Sequence, residues 1–286
     1  MTEPRAEDVG RALFELTGRN APVVLHTELT ASTQDDLAEL WEAGSVPAGT
    51  VMIADDQTAG RGRVGRTWHS RPGKSLLASV LLELPESVAD HLAWVTLAGA
   101  CAALESVRAQ AAAHAQHAVA LSWPNDIVSV DGESGPRKLG GLLGEVCGRR
   151  DGKIAVVLGW GLNLSLTEDE LPTPVSASLL SAGLTVPDRD GLVAGWLAGL
   201  TSRLDALVEA GDPEAAGLVR EVNTVTETLR PGITVGRPRQ APITGSGLRI
   251  LADASLEIAT DDGIQVVTSG EVSLLGMSPR MEGEPR

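Results

Sequence analysis

The feature that most constrains the fold is a pair of long apolar segments joined by Asp151-Gly152. Residues 138–150 (KLGGLLGEVCGRR) and 153–166 (KIAVVLGWGLNLSL) flank this dipeptide. Asp-Gly between two such runs is a strong signal for a tight hairpin turn. The sequence therefore predicts two adjacent antiparallel strands in the middle of the chain, and hence a sheet that is at least partly antiparallel.

Helix and strand signals alternate around this hairpin. Ser32 is followed three residues later by Asp35, the spacing of a capping box, which predicts a helix that ends at Gly44. Further strands are predicted at 22–29, 50–57, 75–84 and 118–130, and further helices at 5–19, 88–113, 174–181, 190–211 and onward to about 228. This order predicts an α+β domain with a mixed, largely antiparallel sheet and helices over residues 1–228.

The pattern changes after residues 229–232 (LRPG). Short β-type runs separated by turns rich in Gly, Pro and Asp fill most of the remaining chain. Such spacing is typical of a small β-barrel. We therefore predict a second domain over residues 229–286.

The charge balance restricts the partners. The chain carries 23 cationic and 38 anionic side chains, a formal net charge of −15, which disfavours general binding to nucleic acid or anionic membranes. The N-terminus lacks an apolar signal core, and residues 92–104, the longest apolar run, are too short to span a bilayer. We expect a cytoplasmic protein. Cys101 and Cys147 form no metal-binding spacing, which predicts free thiols.

One segment contrasts with this acidity. Residues 60–74 (GRGRVGRTWHSRPGK) contain four arginines and one lysine but no carboxylate. Glycines let the backbone approach a ligand closely, and guanidinium groups match phosphate or carboxylate oxygens. A loop of this kind would be mobile when empty and ordered by an anion. The segment predicts an anion-triggered lid, with a solvated basic turn as the alternative.

Two familiar phosphate motifs overlap this loop. Residues 60–65 spell GxGxxG, but a dinucleotide-binding turn must open directly into a helix, and Pro-Gly follows at 72–73. Residues 73–75 (GKS) match the end of a P-loop, whose first glycine would fall at Trp68. A nicotinamide enzyme and a P-loop enzyme are therefore both disfavoured.

Polar residues elsewhere could serve the same ligand. Asn125 and Asp126, in SWPND, could bond a nucleotide and hold Mg²⁺ through oxygen ligands. Asn163 could bond the edge of an adenine. Lys138 is one of only three lysines in a chain that has twenty arginines. This bias indicates that the position requires a compact ammonium group. The alternatives are simple turns for the asparagines and chance for the lysine.

Together these motifs resemble one family. GRGRVGRTWHS is similar to the biotin-loop signature of biotin protein ligases, and STQ, SWPND, KLGGLLGE and GWGLNL occur in that family's order. The resemblance implies a fold shared with lipoate ligases and class II synthetase cores, plus a C-terminal SH3-like barrel. It also implies two steps: biotin and MgATP give biotinyl-5′-AMP, and a lysine of a biotin carboxyl carrier domain then attacks this mixed anhydride.

The resemblance assigns roles to individual residues. Lys138 and Arg63 would be catalytic, and Asp126 would hold Mg²⁺ with the nucleotide. The residues expected to contact biotin are Ser32, Thr33, Gln34, Gln57, Gly60, Arg61, Gly62, Arg63, Lys138, Gly141 and Leu143. The residues expected to contact ATP are Arg66, Trp68, Asn125, Asp126 and Asn163.

Two positions depart from the family pattern. The family usually has asparagine at Gln34 and lysine at Ser122, and the second change leaves the affinity for ATP open. About twenty residues precede the catalytic core, so we expect a monofunctional ligase without a helix-turn-helix domain. Such a protein should not bind nucleic acid. It could form a homodimer. The alternatives are a lipoate or octanoyl transferase and a non-catalytic biotin-binding module.

Overall fold

The computed structural model describes residues 23–111, 115–130, 135–238 and 240–274. The helix predicted at 5–19 lies outside the described residues. The first sheet has seven strands in the spatial order β1-β2-β3-β7-β6-β5-β4. Its strands are β1 (Val24–Thr30), β2 (Val51–Gln57), β3 (Ser75–Pro85), β4 (Val119–Ser122), β5 (Asp126–Ser129), β6 (Arg137–Arg150) and β7 (Lys153–Asn163).

The pairing confirms the predicted fold class. β1 and β2 are parallel, and every other neighbouring pair of this sheet is antiparallel. The predicted hairpin joins β6 to β7, with Arg150 opposite Lys153. Asp151 and Gly152 have φ of 51° and 71°, the positive values that a two-residue hairpin turn requires. The turn chemistry of the sequence therefore determines the centre of the sheet.

The helices cover both faces of this sheet. Helix α1 (Thr33–Glu42) begins at Ser32, whose Oγ accepts a hydrogen bond from the backbone N–H of Asp35 at 3.4 Å, as the capping signal predicts. Its buried residues include Leu37 and Trp41. The remaining helices are α2 (Leu92–Gln110), α3 (Ala115–Ala118), α4 (Arg189–Ala210) and α5 (Leu218–Val225).

The α2 and α4 helices pack together on the face opposite α1. The indole N–H of Trp196 in α4 donates to the Gly99 carbonyl of α2 at 3.2 Å. The segment Glu86–Gln110 has the length and hydropathy of a membrane span, but 61% of its most apolar stretch is buried inside the protein. It is therefore the core helix of the fold. Cys101, within α2, and Cys147, in β6, are both free.

A five-stranded antiparallel sheet forms the C-terminal part, in the order β11-β10-β9-β8-β12. Its strands are β8 (Ile233–Arg237), β9 (Gln240–Ile250), β10 (Leu256–Thr260), β11 (Gly263–Val267) and β12 (Glu271–Val272). This agrees with the expected SH3-like domain, although within the described residues no pairing of β11 with β12 closes a barrel. The boundary at residue 229 stays a prediction.

Two predicted elements were wrong. Residues 118–130 form two strands, β4 and β5, because the chain reverses at residues 123–125, where the Trp123-Pro124 peptide is cis. Residues 174–181 form no helix. Their backbone pairs with β6 instead: the N–H of Lys138 donates to the Val175 carbonyl and the N–H of Ala177 to the Lys138 carbonyl, both at 2.7 Å. Tertiary pairing overrides the local helical pattern there.

Gly140 on β6 provides a test of the packing between β6 and β7. A Cβ at this position would lie 2.5 Å from the Gly161 carbonyl oxygen, and backbone cannot move aside as a side chain can. We expect Gly140→Ala to lower the free energy of unfolding by about 1–3 kcal/mol in a urea titration. Ile264→Ala, on the exposed face of β11, should change it by less than about 0.5 kcal/mol. Equal stability of the two variants would contradict this account.

Candidate active site

Two adjoining cavities lie beneath the loop of residues 60–74. We call them the inner cavity, with about 360 Å³ of empty space, and the outer cavity, with about 1260 Å³; both volumes include space open to solvent. Seven of the predicted biotin contacts line the inner cavity: Ser32, Thr33, Gln34, Gln57, Arg61, Gly141 and Leu143. Six of the predicted ATP or catalytic residues line the outer cavity: Arg63, Arg66, Trp68, Asn125, Lys138 and Asn163.

The cavities share one wall. Arg61, Trp68, Gly141 and Leu143 line both of them. Of the remaining predicted residues, Gly62 lines the outer cavity, whereas Gly60 and Asp126 line neither. A ligand with a small head and a long polar tail could occupy both cavities at once.

The inner cavity has a preorganised polar end. The Oε1 of Gln57 accepts from the backbone N–H of Thr33 at 2.8 Å and from its hydroxyl at 3.0 Å. The Thr33 hydroxyl also lies 2.8 Å from the Ser79 hydroxyl. These groups are held by α1, β2 and β3, so their positions do not depend on the loop of residues 60–74. Such an arrangement suits a compact, neutral ligand with its own donors and acceptors.

Glycines of β7 form the floor of the inner cavity. The amide nitrogen of Gln34 donates to the Leu143 carbonyl at 2.9 Å, and a Cβ on Gly159 would lie 2.9 Å from the Gln34 side chain. A Cβ on Gly161 would lie 2.7 Å from the Trp68 indole, so that ring lies against bare backbone. The buried Nε1 of Trp68 has no hydrogen-bond partner among the described residues. It is available as a donor to a ligand.

Arg61 is already paired. Its guanidinium contacts both oxygens of Glu145, one of them at 2.8 Å, and Asp35 at 2.7 Å. The predicted biotin-contacting role of Arg61 therefore stays a prediction, while its side chain ties the loop to α1 and β6. The sequence did not reveal Glu145 as a partner, because 84 residues separate the two.

Arg63 differs from Arg61. It forms no ion pair with any described residue, although it lines the outer cavity. Burial lowers the pKa of its guanidinium, the charge of Asp126 opposes this, and the charge of Arg66 adds to it. A partly desolvated cation without a partner favours an anionic ligand. Arg66 contacts Glu271 of β12, so the loop also reaches the C-terminal sheet.

Lys138, which lines the outer cavity, forms an ammonium–carboxylate pair with Asp126, which does not line it. The Nζ of Lys138 donates to Asp126 Oδ1 at 2.7 Å. A Cβ on Gly141 would lie 2.9 Å from Asp126 Oδ1 and 3.4 Å from Lys138 Nζ, so the absence of a side chain there leaves room for the pair. Antiparallel pairing of β5 with β6 places Asp126 opposite Gly141. The structure thus brings together two residues that the sequence singled out separately.

The side chains of Asn125 and Asn163 form hydrogen bonds to backbone carbonyls. The amide nitrogen of Asn125 donates to the Leu142 carbonyl, and that of Asn163 donates to the Ala177 carbonyl at 2.9 Å. Contact of either side-chain oxygen with a nucleotide stays a prediction. Among the described residues, no cluster of three or more His, Cys, Asp or Glu side chains could hold a metal ion. Asp126 as a Mg²⁺ ligand stays a prediction.

Lys74 lies at the exit of the loop, where its partly exposed side chain forms an ion pair. Its Nζ donates to both oxygens of Glu170, at 2.6 and 2.7 Å. Hydrogen bonds from Lys74 and from Thr167 lower the pKa of Glu170 to about 2. The pair ties the end of the loop to the chain that follows β7.

This pair has a measurable signature. Because the pKa of Glu170 is lowered from 4.5 to about 2, any stabilisation by the pair is present above about pH 4.5 and is lost as pH falls toward 2. We expect the carboxyl carbon of Glu170 to titrate near pH 2 in the wild type and closer to 4.5 in Lys74→Met. Lys153→Met is the control and should leave the titration of Glu170 unchanged. A Glu170 that titrates near 4.5 in the wild type would contradict the pair.

Comparison with known proteins agrees with the site. Residues 27–163 match the model of the biotin/lipoate A/B protein ligase family. Over this stretch the chain is similar to the family. The match ends at Asn163, so it contains the loop, the Lys138–Asp126 pair and every residue that lines the inner cavity. It leaves out the C-terminal sheet.

Individual relatives extend the comparison. The chain is 35% identical to the biotin--[acetyl-CoA-carboxylase] ligase of Mycobacterium tuberculosis over 175 residues. These residues are 61% of this chain and 61% of that relative. It is 28% identical over 258 residues to the bifunctional ligase/repressor BirA of Bacillus spizizenii, covering 88% of this chain and 74% of that relative. The solved structure of the Aquifex aeolicus biotin protein ligase with biotin and ATP has a TM-score of 0.68 at 24% identity, covering 88% of this chain and 97% of that one. This last likeness shows the same fold.

Proposed function

We propose that the protein is a biotin protein ligase that uses ATP to attach biotin to a lysine of a biotin carboxyl carrier domain. The observation that carries the proposal is the junction of the two cavities, where a polar pocket for a compact ring meets a cationic pocket for a nucleotide. Arg63 and Lys138 line the cationic pocket. Relatives named as biotin--[acetyl-CoA-carboxylase] ligases support this assignment.

In the first step, a carboxylate oxygen of biotin attacks the α-phosphorus of ATP. The bond from that phosphorus to the bridging oxygen breaks, and pyrophosphate leaves. Lys138 would hold the biotin carboxylate beside the nucleotide, and Arg63 would neutralise charge on the α-phosphate. Mg²⁺ enters with ATP as part of the substrate. Positioning and electrostatic stabilisation suffice for this step, so no nucleophile of the enzyme is needed.

In the second step, the carrier lysine attacks the acyl carbon of biotinyl-5′-AMP. The bond from that carbon to the phosphate oxygen breaks, AMP leaves, and the amine loses a proton as the amide forms. The arginines of the loop would keep the mixed anhydride away from water until the carrier arrives. The structural requirement is that the loop opens on the side of the outer cavity.

The inner cavity favours biotin over a lipoyl or octanoyl chain. Thr33, Gln57 and Ser79 place several polar groups in its wall, and an alkyl chain would offer nothing to the hydrogen-bonding capacity that their mutual bonds leave over. A buried polar group left unpaired costs about 1–3 kcal/mol. A non-catalytic biotin-binding module would not need the outer cationic cavity.

The test is biotin-dependent exchange of labelled pyrophosphate into ATP, followed by transfer to a carrier domain detected with labelled avidin. Exchange with biotin, and none with lipoate or octanoate, is the expected result. Biotin binding without exchange would indicate the non-catalytic module, and exchange with lipoate would indicate the lipoate enzyme. We further propose a cytoplasmic location. We also propose that the protein does not bind duplex DNA specifically, which the net charge of −15 supports.

A further inference from the structure

The hairpin turn that carries Asn125 and Asp126 is held from outside the seven-stranded sheet. The backbone N–H of Glu227 donates to the Leu121 carbonyl at 2.8 Å, and the backbone N–H of Trp123 donates to the Thr228 hydroxyl at 2.8 Å. The indole N–H of Trp123 donates to the Ala254 carbonyl at 2.9 Å. The connection to the C-terminal sheet and that sheet itself therefore both contact this turn.

At the centre of these contacts lies a carboxylate that the proposed mechanism does not use. The side chain of Glu227 is only 8% exposed. Its Oε1 accepts from the Ser122 hydroxyl at 2.7 Å, and its Oε2 accepts from Arg230 Nε at 2.7 Å. Ser122 is itself 2% exposed. Each oxygen of this buried carboxylate has one donor, as a buried charge requires.

The chain of contacts continues to the outer cavity. Ser122 on β4 lies opposite Asp126 on β5, and Asp126 accepts from Lys138 Nζ at 2.7 Å. Glu227 thus contacts the hairpin at Ser122, and Lys138 contacts it at Asp126. A shift of the Ser122 backbone would move Asp126 and, with it, the ammonium.

We propose that Glu227 is a positioning residue that sets the β4–β5 hairpin through Ser122 and so couples the C-terminal sheet to the place of Asp126 and Lys138. It touches neither cavity. Its removal leaves the Ser122 hydroxyl and the Arg230 guanidinium without their acceptor, and the hairpin loses its fixed support on that side. The expected effects on adenylate formation rest on the proposed function, whereas the expected effects on the structure of the hairpin do not.

The kinetic test compares Glu227→Gln and Ser122→Ala with the control Glu257→Gln. Glu257 is also paired with an arginine, Arg249, at 2.9 Å, but it lies within the C-terminal sheet on β10. We expect both test variants to slow adenylate formation about tenfold, the cost of one unpaired buried group. The KM for ATP should rise and the KM for biotin should not change, because the inner cavity is untouched. The control should behave as the wild type.

A double variant shows whether the two residues act in one chain of contacts. Ser122→Ala with Glu227→Gln should be no slower than the slower single variant, since each change removes the same link. Additive effects with unchanged KM values would mean a merely structural role and would overturn the proposal.

Hydrogen exchange of the protein without ligands tests the coupling independently of activity. Amides of residues 119–129 should exchange faster in Glu227→Gln than in the wild type and in Glu257→Gln. If the wild type shows no biotin-dependent exchange of pyrophosphate, the proposed function fails, yet this measurement still decides on the support of the hairpin. Unchanged exchange rates in that segment would overturn the inference whatever the activity.

Discussion

Replacement of Lys138 by arginine is expected to slow adenylate formation and carrier biotinylation about a hundredfold, although the positive charge is kept. The Nζ of Lys138 lies 2.7 Å from Asp126 Oδ1, in a space that exists because Gly141 has no side chain. A planar guanidinium is broader than an ammonium and would displace the biotin carboxylate from its line of attack. Misplacement of reacting atoms by about 1 Å can cost about a hundredfold in rate.

The two steps are measured separately, by pyrophosphate exchange and by single-turnover transfer from preformed biotinyl-5′-AMP. Lys153→Arg is the matched control, because Lys153 is a half-exposed lysine on β7 that lies 3.5 Å from Glu83 and lines neither cavity. It should keep wild-type rates in both assays. Wild-type rates in both steps for Lys138→Arg would show that the role assigned to Lys138 is wrong.

Arg63→Ala is expected to release biotinyl-5′-AMP about 10–150 times faster than the wild type. The guanidinium of Arg63 has no ionic partner among the described residues, and burial lowers its pKa. A charge-assisted hydrogen bond to the adenylate would stabilise the complex by about 1.5–3 kcal/mol, which corresponds to this range of rates. The measurement is stopped-flow chase of the bound adenylate, with intrinsic tryptophan fluorescence as a signal.

Arg71→Ala is the control for Arg63, because Arg71 lies in the same loop, is exposed, and lines neither of the two cavities. Its release rate should stay within about twofold of the wild type, as is usual for exposed charges. If both variants release the adenylate at the same rate as the wild type, the loop arginines are solvated charges and the loop is not a lid.

Local patterns in the sequence were sufficient for much of the fold. The Asp151-Gly152 turn, the Ser32 cap and the long α4 helix depend on neighbours within a few residues, and each was predicted at its observed place. The segment at 174–181 failed for the opposite reason. Its backbone pairs with Lys138, more than thirty positions away, and no local pattern reveals such a partner.

The chemistry of the candidate site was also legible in the sequence, because residue type and spacing determine which groups are available. A carboxylate-free stretch of arginine and glycine in a chain of net charge −15 predicts an anion-binding loop, with a solvated basic turn as the alternative. The assignment of each residue to biotin or to ATP stays a prediction from the resemblance. The structure shows that these residues line two adjoining cavities.

By itself, the sequence determined the strand-turn-strand centre of the sheet, the start of α1 and the cationic nature of the loop, because these follow from short-range backbone and side-chain preferences. Only the tertiary structure decided which cations are free. Arg61 is paired with Glu145 across 84 positions and Lys74 with Glu170 across 96, whereas Arg63 has no ion-pair partner among the described residues. Ion pairs form between residues that folding brings within a few ångströms, and that proximity is a property of the packed sheet and not of the local sequence.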